Sequence, residues 1–245
     1  RKSCGYRLPT EVEWEYAAKS IDNRAQYAII DNSDYYQNDK MILVEDSLKT
    51  LQKTANLYRK ELNIPILSIT GSNGKTTTKE LLVSILQRKF KVGYTKGNFN
   101  NHIGVPLTIF SFNKDTNFGV VEMGANHPGE IKTLCEIAEP DYGIITNIGK
   151  AHIEGFGSFQ GVIDTKNELY TYLNENKGVI FYNALNSILE NLSKKTAIPY
   201  GLNQADQVHG KVKNSIPFLS VEASLHNDNF SINTQLLGDY NLENI

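Results

Sequence analysis

The chain has 245 residues, 40% hydrophobic and 21% charged, with 25 basic against 27 acidic side chains and a formal net charge of −2. That length admits one large domain or two small ones, and the balanced charge excludes the broad basic surface that nucleic acid or an anionic membrane requires. An anionic ligand must therefore be held by a local site. Two cysteines, Cys4 and Cys135, are too few and too far apart for a disulfide framework or a zinc site, and are expected to be free thiols. No apolar run reaches the roughly 18 residues of a membrane-spanning helix, and no apolar segment follows the N-terminus as a secretory signal would. The expectation is a cytoplasmic monomer without nucleic-acid or membrane partners. The first residue is not Met, so the chain is expected to be part of a longer one.

From about residue 25 strand-like and helix-like segments alternate. Tyr27–Ile30 and Met41–Val44 are short apolar runs bounded by Asp and Asn, which predicts strands. Leu48, Leu51, Ala55, Leu57, Tyr58 and Leu62 recur at helical spacing, which predicts a helix from Ser47 to Glu61 with Ser47 as its N-cap. A buried strand follows over Pro65–Thr70, then a helix over Thr76–Phe90. Strands are predicted at Phe118–Met123, Tyr142–Asn147 and Val179–Tyr182, and helices at Pro128–Ala138, with Pro in its first turn, and Ser158–Leu173. The fold class expected is α/β: a mostly parallel sheet covered on both faces by helices. Beyond Pro199, the short alternating runs Val208–Val212, Phe218–Ala223 and Phe230–Leu236 predict a small appended antiparallel sheet. Residues 1–20 stand apart; Thr10-Glu11-Val12-Glu13 reads as a capping box before Trp14, Tyr16, Ala17 and Ala18.

Gly71-Ser72-Asn73-Gly74-Lys75-Thr76 lies between an apolar strand and a helix. Glycines let the backbone wrap phosphate oxygens with N–H groups inward, and the helix N-terminus favours the anion. Lys75 can reach β and γ phosphates and the Thr76 hydroxyl can ligate Mg²⁺. The loop is shorter than the G-x-x-x-x-G-K-[ST] form; the alternative is a chance turn. A phosphate loop alone names a nucleotide and no reaction.

Ligands of open α/β sheets gather at the carboxyl ends of strands. Glu122 ends a predicted strand and is suited to hold Mg²⁺ or orient its water, against the alternative of an ordinary exposed carboxylate. His152 follows another strand end within the Gly-punctuated run Thr146–Gly157, where spacing alone leaves a ligand and a structural role equally open. By composition Lys166 is a solvated lysine on a helix surface, and nothing in its periodicity overturns that. In Gly97–Pro106, three asparagines offer neutral donors and acceptors suited to a polar substrate, or form a plain turn.

Taken together, Thr70–Glu80, Gly97–Thr108, Val121–Ala125, Asn147–Ser158 and Asp164–Leu169 resemble the Mur ligase family, and within it the branch that adds D-alanyl-D-alanine to UDP-N-acetylmuramoyl-tripeptide. The motifs occur in the family's order over about residues 25–245. The resemblance implies an ATP-dependent, ADP-forming amide ligase working through an acyl phosphate. It implies that Gly71, Ser72, Asn73, Gly74, Lys75, Thr76 and Thr77 hold ATP, and that Thr76 and Glu122 ligate one Mg²⁺. His152 and Lys166 would serve a second, with Lys166 carbamylated; carbamylation turns an ammonium that repels Mg²⁺ into an anionic oxygen ligand. Lys75, Glu122, His152 and Lys166 are the implied catalytic residues, and Asn100, Asn101 and His102 the implied substrate contacts.

Leu237–Asn244 is similar to the family's exit from its central domain, where Asn241 and Asn244 would approach the base; Tyr240 stands where His is usual. The implied arrangement is a remnant of the N-terminal domain at 21–62 and a central ATP-binding domain at 63–245, incomplete at its end and without the C-terminal domain. Gly5–Ala18 resembles instead a signature of the formylglycine-generating-enzyme family, so a fusion of two gene fragments, or an assembly error, is expected near 19–25. Without its neighbouring domains the chain is expected to be inactive alone. The rival readings are another Mur or folylpolyglutamate-type ligase, or a non-catalytic Mg-ATP-binding module.

Overall fold

The computed structural model describes residues 27–149, 153–193, 197–201, 208–225 and 228–245. The capping box at Thr10–Glu13, Cys4 and the rest of 1–20 lie outside the described residues. The chain divides into two compact units, Arg1–Leu51 and Gln52–Ile245.

In the first unit, Ala28–Ile30 (β1) pairs in parallel with Met41–Leu43 (β2), Ala28 opposite Met41. The next helix, Ser47–Leu62 (α1), begins one residue earlier than its expected cap implies. Asp46 is the capping residue: its Oδ1 accepts from Lys49 N–H at 2.8 Å and its carbonyl from Thr50 N–H at 3.0 Å. Ser47 sits inside the first turn and donates through both N–H and Oγ to Asp31 Oδ2, at 3.0 and 2.6 Å.

The second unit is built on fully buried strands. Ile66–Thr70 (β3) and Phe118–Glu122 (β5) are buried at every position, as a strand covered on both faces must be. Between them in sequence lie the helix Lys75–Leu86 (α2), the edge strand Val92–Tyr94 (β4) and the short helix Gly104–Phe110 (α3). Then come the helix Glu130–Ala138 (α4), the strand Tyr142–Ile145 (β6), the single turn Ile153–Phe156 (α5), the helix Phe159–Glu175 (α6), the strand Val179–Asn183 (β7), the helix Ser187–Leu192 (α7) and the strand Ile198–Gly201 (β8).

These strands form one sheet with Val208–Asn214 (β9), Ser220–Leu225 (β10) and Asp228–Asn233 (β11), in the order β11-β10-β9-β8-β7-β6-β3-β5-β4. From β4 to β9 neighbours are parallel; β9, β10 and β11 pair antiparallel. The expected antiparallel segment is present, and it continues the parallel sheet through β8 and β9. One face packs Ile66, Val121, Ile145, Ile131, Leu134, Leu169 and Tyr170 into the larger core, and the other packs Leu67, Ile69, Val120 and Ile144 on Val83 of α2.

Two helix starts differ from the sequence expectation. Pro128 precedes α4 instead of opening it, because Gly129 takes a left-handed conformation (φ +84°) that sets the helix start at Glu130. With no side chain at that cap, Glu168 of α6 supplies one: its two carboxylate oxygens accept from Gly129 and Lys132 N–H, both at 2.7 Å. The Asn-rich run expected as a loop leads directly into α3. Asn101 Oδ1 accepts from Ile103 and Gly104 N–H at 3.1 and 2.8 Å, and Pro106 is tolerated because a first-turn residue needs no N–H.

Candidate active site

The strand order puts a switch point at β3, which has β5 on one side and β6 on the other while the chain leaves it for β4. Crevices form outside the carboxyl ends of strands at such points. The segments after β3, β5 and β6 meet there.

The phosphate loop after β3 needs its glycines. Gly71 has φ +146° and a Cβ there would lie 2.0 Å from Thr146 Oγ1; Gly74 has φ +77° and a Cβ would lie 2.1 Å from Asn244 Oδ1. Gly74 also opens α2 without a side-chain cap, leaving the first turn's N–H groups directed at the crevice. The loop is stitched to the segment after β6. Ser72 N–H donates to Asn147 O and Asn73 N–H to Asn147 Oδ1, both at 3.0 Å. Thr146 Oγ1 donates to Asn73 O at 2.6 Å, and Gly149 N–H to Ser72 Oγ at 2.9 Å. Sequence reading singled out neither Thr146 nor Asn147, because only the tertiary fold brings them to the loop.

Lys75 Nζ donates to Gly71 O at 2.8 Å and reaches Ser72 O at 3.4 Å, so the ammonium is held across the mouth of its own loop. Burial lowers its pKa, while the charge of Glu122 acts in the opposite sense. Thr76 Oγ1 donates to Glu122, 3.1 and 3.3 Å from the two carboxylate oxygens. Glu122 is only 1% exposed, which removes the alternative of an ordinary surface carboxylate. Asn100 Nδ2 donates to Glu122 Oε1 at 2.9 Å, and Thr95 Oγ1 accepts from Glu122 N–H at 3.0 Å. A hydroxyl and a carboxylate side by side, next to a phosphate loop, are a donor set for Mg²⁺, which binds one or two carboxylates and takes the rest of its ligands from water and phosphate. Among the described residues no three His, Cys, Asp or Glu side chains gather as a metal cluster.

Lys166 corrects the sequence reading. Expected on a solvated helix surface, it is buried at 3% exposure in α6, its Nζ 5.6 Å from the centre of the Phe156 ring. Burial, reinforced by the positive charge of Lys75, pulls its pKa down to about 8; Glu130 and Glu168 oppose the shift. His152 lies outside the described residues.

The other expected contacts divide. Asn244 reaches the start of α2 beside Gly74: its carbonyl accepts from Thr78 Oγ1 at 3.2 Å, and its Nδ2 donates to Asn241 Oδ1 at 3.0 Å, which places Asn241 behind it. Thr77 is half-buried in the first turn of α2. Asn100 is in the site, on Glu122. Asn101, expected at the substrate, instead commits its side-chain oxygen to capping α3, and His102 is exposed, its carbonyl accepting from Gln52 Nε2 at 3.0 Å. Lys79, absent from the sequence-based candidates, lies 3.5 Å from Glu122 Oε2. Its spacing of four from Lys75 was the available signal, since such residues share a helix face.

Comparison with known proteins follows the same residues. The Mur ligase middle domain family matches residues 69–245. The UDP-N-acetylmuramoyl-tripeptide–D-alanyl-D-alanine ligase of Bacillus subtilis strain 168 is 41% identical over 165 residues, covering 67% of this chain and 36% of that one. The enzyme of the same name from Rickettsia prowazekii is 37% identical over 194 residues, covering 76% and 43%. The chain thus spans about two-fifths of the length of these relatives. Among solved structures, the MurF ligase of Thermotoga maritima in complex with ADP superimposes with a TM-score of 0.80 at 29% identity, covering 95% of this chain and 55% of that one. A phosphate loop tied to two neighbouring strand ends, with Thr76 on a buried Glu122, therefore sits on a matching sequence and a matching fold, and the chain belongs to the Mur ligase family through its middle domain.

Proposed function

We propose that this chain binds ATP as the central part of an ADP-forming ligase that joins D-alanyl-D-alanine to UDP-N-acetylmuramoyl-tripeptide. The observation that carries the reading is the convergence of Lys75, Thr76, Asn100 and buried Glu122 on one phosphate loop, in a chain 41% identical to a ligase of that name. Gly71 to Thr77 hold the phosphates, with Lys75 leaving Gly71 O for the anion. Asn244 flanks Gly74 of the loop, with Asn241 hydrogen-bonded behind it, on the side expected to face the base.

In the reaction the tripeptide carboxylate attacks the γ-phosphorus and ADP leaves. The D-alanyl-D-alanine amine then attacks the acyl carbon, phosphate leaves with the C–O bond electrons, and the amine proton is lost. The chain's residues align the reacting groups and neutralise charge, which is most of what phosphoryl transfer asks of a protein. Thr76 and Glu122 would hold one Mg²⁺, and Lys166 and His152 would serve a second, supplying positive charge to the phosphate oxygens. Lys166 would serve as a carbamate, formed when its neutral amine adds to CO₂ and releases a proton; a pKa near 8 supports this, since part of the amine is neutral at ordinary pH.

The reading is tested by fluorescent-nucleotide binding and by ADP release with both substrates against each alone. Absence of nucleotide binding sinks it. Binding without release that depends on both substrates reduces the chain to a Mg-ATP-binding module. The carbamate is tested separately with ¹³C-bicarbonate: a carbamate carbon signal is expected, and its persistence in Lys166→Arg rejects the assignment.

A further inference from the structure

Helix α2 carries a second buried ammonium with no task in the reaction above. Lys79 lies one turn beyond Lys75 and is 0% exposed. Its Nζ is 3.2 Å from Glu80 Oε1 and 3.5 Å from Glu122 Oε2, yet it makes no hydrogen bond to any described residue. A buried ammonium is ordinarily fixed by two or three directed bonds. Charge alone fixes this one, midway between two carboxylates of opposite exposure. The side chain of Glu122 is 2% exposed and that of Glu80 is 56% exposed.

Glu122 depends on that charge. Its other side-chain contacts, Thr76 Oγ1 and Asn100 Nδ2, are neutral donors. Without Lys79 it would be a buried anion with no cationic partner at ion-pair distance among the described residues, which folding disfavours. With Lys79 beside it the charge of Glu122 is offset, and a free divalent cation approaching Glu122 meets a weakened attraction and a nearby ammonium. Repulsion between charges a few ångströms apart is strong where water is excluded.

We propose that Lys79 holds the metal's place: shared between Glu122 and Glu80, it neutralises Glu122 until a divalent cation takes that carboxylate, and is then held by Glu80 alone. Lys79 is then a positioning residue, and the inference rests on the reading of Glu122 as a metal ligand. Its consequence is ordered loading: the metal binds poorly by itself and well when nucleotide phosphates add negative charge.

Mn²⁺ binding to the full chain, followed by the electron paramagnetic resonance of the free ion without nucleotide, tests this. Lys79→Met is expected to bind Mn²⁺ at least about tenfold more tightly than the parent, and to show a larger rise in Tm on adding Mn²⁺. Lys79→Arg, which keeps the charge, is expected to match the parent. Glu80→Gln removes the alternative seat on an exposed side chain and is expected to weaken Mn²⁺ binding. Should Lys79→Met fail to fold, Glu80→Gln decides, and unchanged affinity there overturns the proposal. Lys79→Met binding no tighter than the parent, while Glu122→Gln abolishes binding, overturns the placeholder role alone. Mn²⁺ binding that survives Glu122→Gln unchanged overturns the metal-ligand reading beneath it.

Discussion

Lys75 and Gly74 separate two things a phosphate loop must do, supply charge and supply shape. Lys75 places its ammonium on Gly71 O at 2.8 Å, and a bound phosphate would exchange that neutral acceptor for a charged one, a gain typical of charge-assisted hydrogen bonds. Lys75→Ala is expected to weaken nucleotide binding roughly 10- to 100-fold, as loss of such a bond implies, with little change in Tm; a fluorescent nucleotide titration checks it. Gly74→Ala acts through shape. Its methyl meets Asn244 Oδ1 and its φ of +77° strains any L residue, so both Tm and nucleotide affinity are expected to fall. Thr146 is a third case: the buried hydroxyl donates to Asn73 O, and Thr146→Val strands that carbonyl at a cost of about 1–3 kcal/mol, read by denaturant unfolding.

Helix α4 shows how an element's start can be written elsewhere in the chain. Its first-turn N–H groups are met by Glu168 from α6, and the turn before it by Glu130, whose Oε2 accepts from Asn126 and His127 N–H at 2.6 and 3.1 Å. Burial alone would raise the pKa of Glu130, but these bonds and His127 outweigh it, and the net shift is downward from 4.5. A carboxyl depressed on folding contributes stability that is fully present above its unfolded pKa and lost as pH falls through the folded one. Glu130→Gln is therefore expected to lower Tm at pH 7, with the gap to the parent closing as pH drops below about 4.5; a gap independent of pH rejects the assignment. Glu168 was legible only as part of a motif, and Gly129 not at all, which is why Pro128 looked like a helix start. The same limit hid α3, β4 and β8, where Pro106, Gly93 and Pro199 interrupt the local pattern and tertiary contacts override propensity. Central strands were legible because burial on both faces forces a nearly continuous apolar run. Lys166 was not legible for the converse reason: helical periodicity reports an apolar stripe, and a lysine buried within that stripe looks like an interruption of it.

For the sheet as a whole, the site belongs to its middle. β3, β5 and β6 end together, and 239–244 returns as a 3₁₀ turn to lie against α2 through Asn244 and Thr78. The antiparallel strands β9 to β11 occupy the far edge, separated from β6 by β7 and β8. Hydrogen exchange can distinguish a site assembled from these separate segments from a loop that binds alone. With saturating ADP, slower exchange is expected at 71–78, at 146–149 and at 239–244, because ligand binding to the folded state raises the free energy of every opening that breaks the site. Amides of β10 and β11, which open independently of the site if local fluctuations dominate their exchange, are expected to change little. Protection confined to 71–78 would mean that Asn147 and Asn244 merely support the loop's resting shape. Protection at all three segments would identify the nucleotide site as a property of the sheet's switch point, in which the phosphate loop is one wall of three.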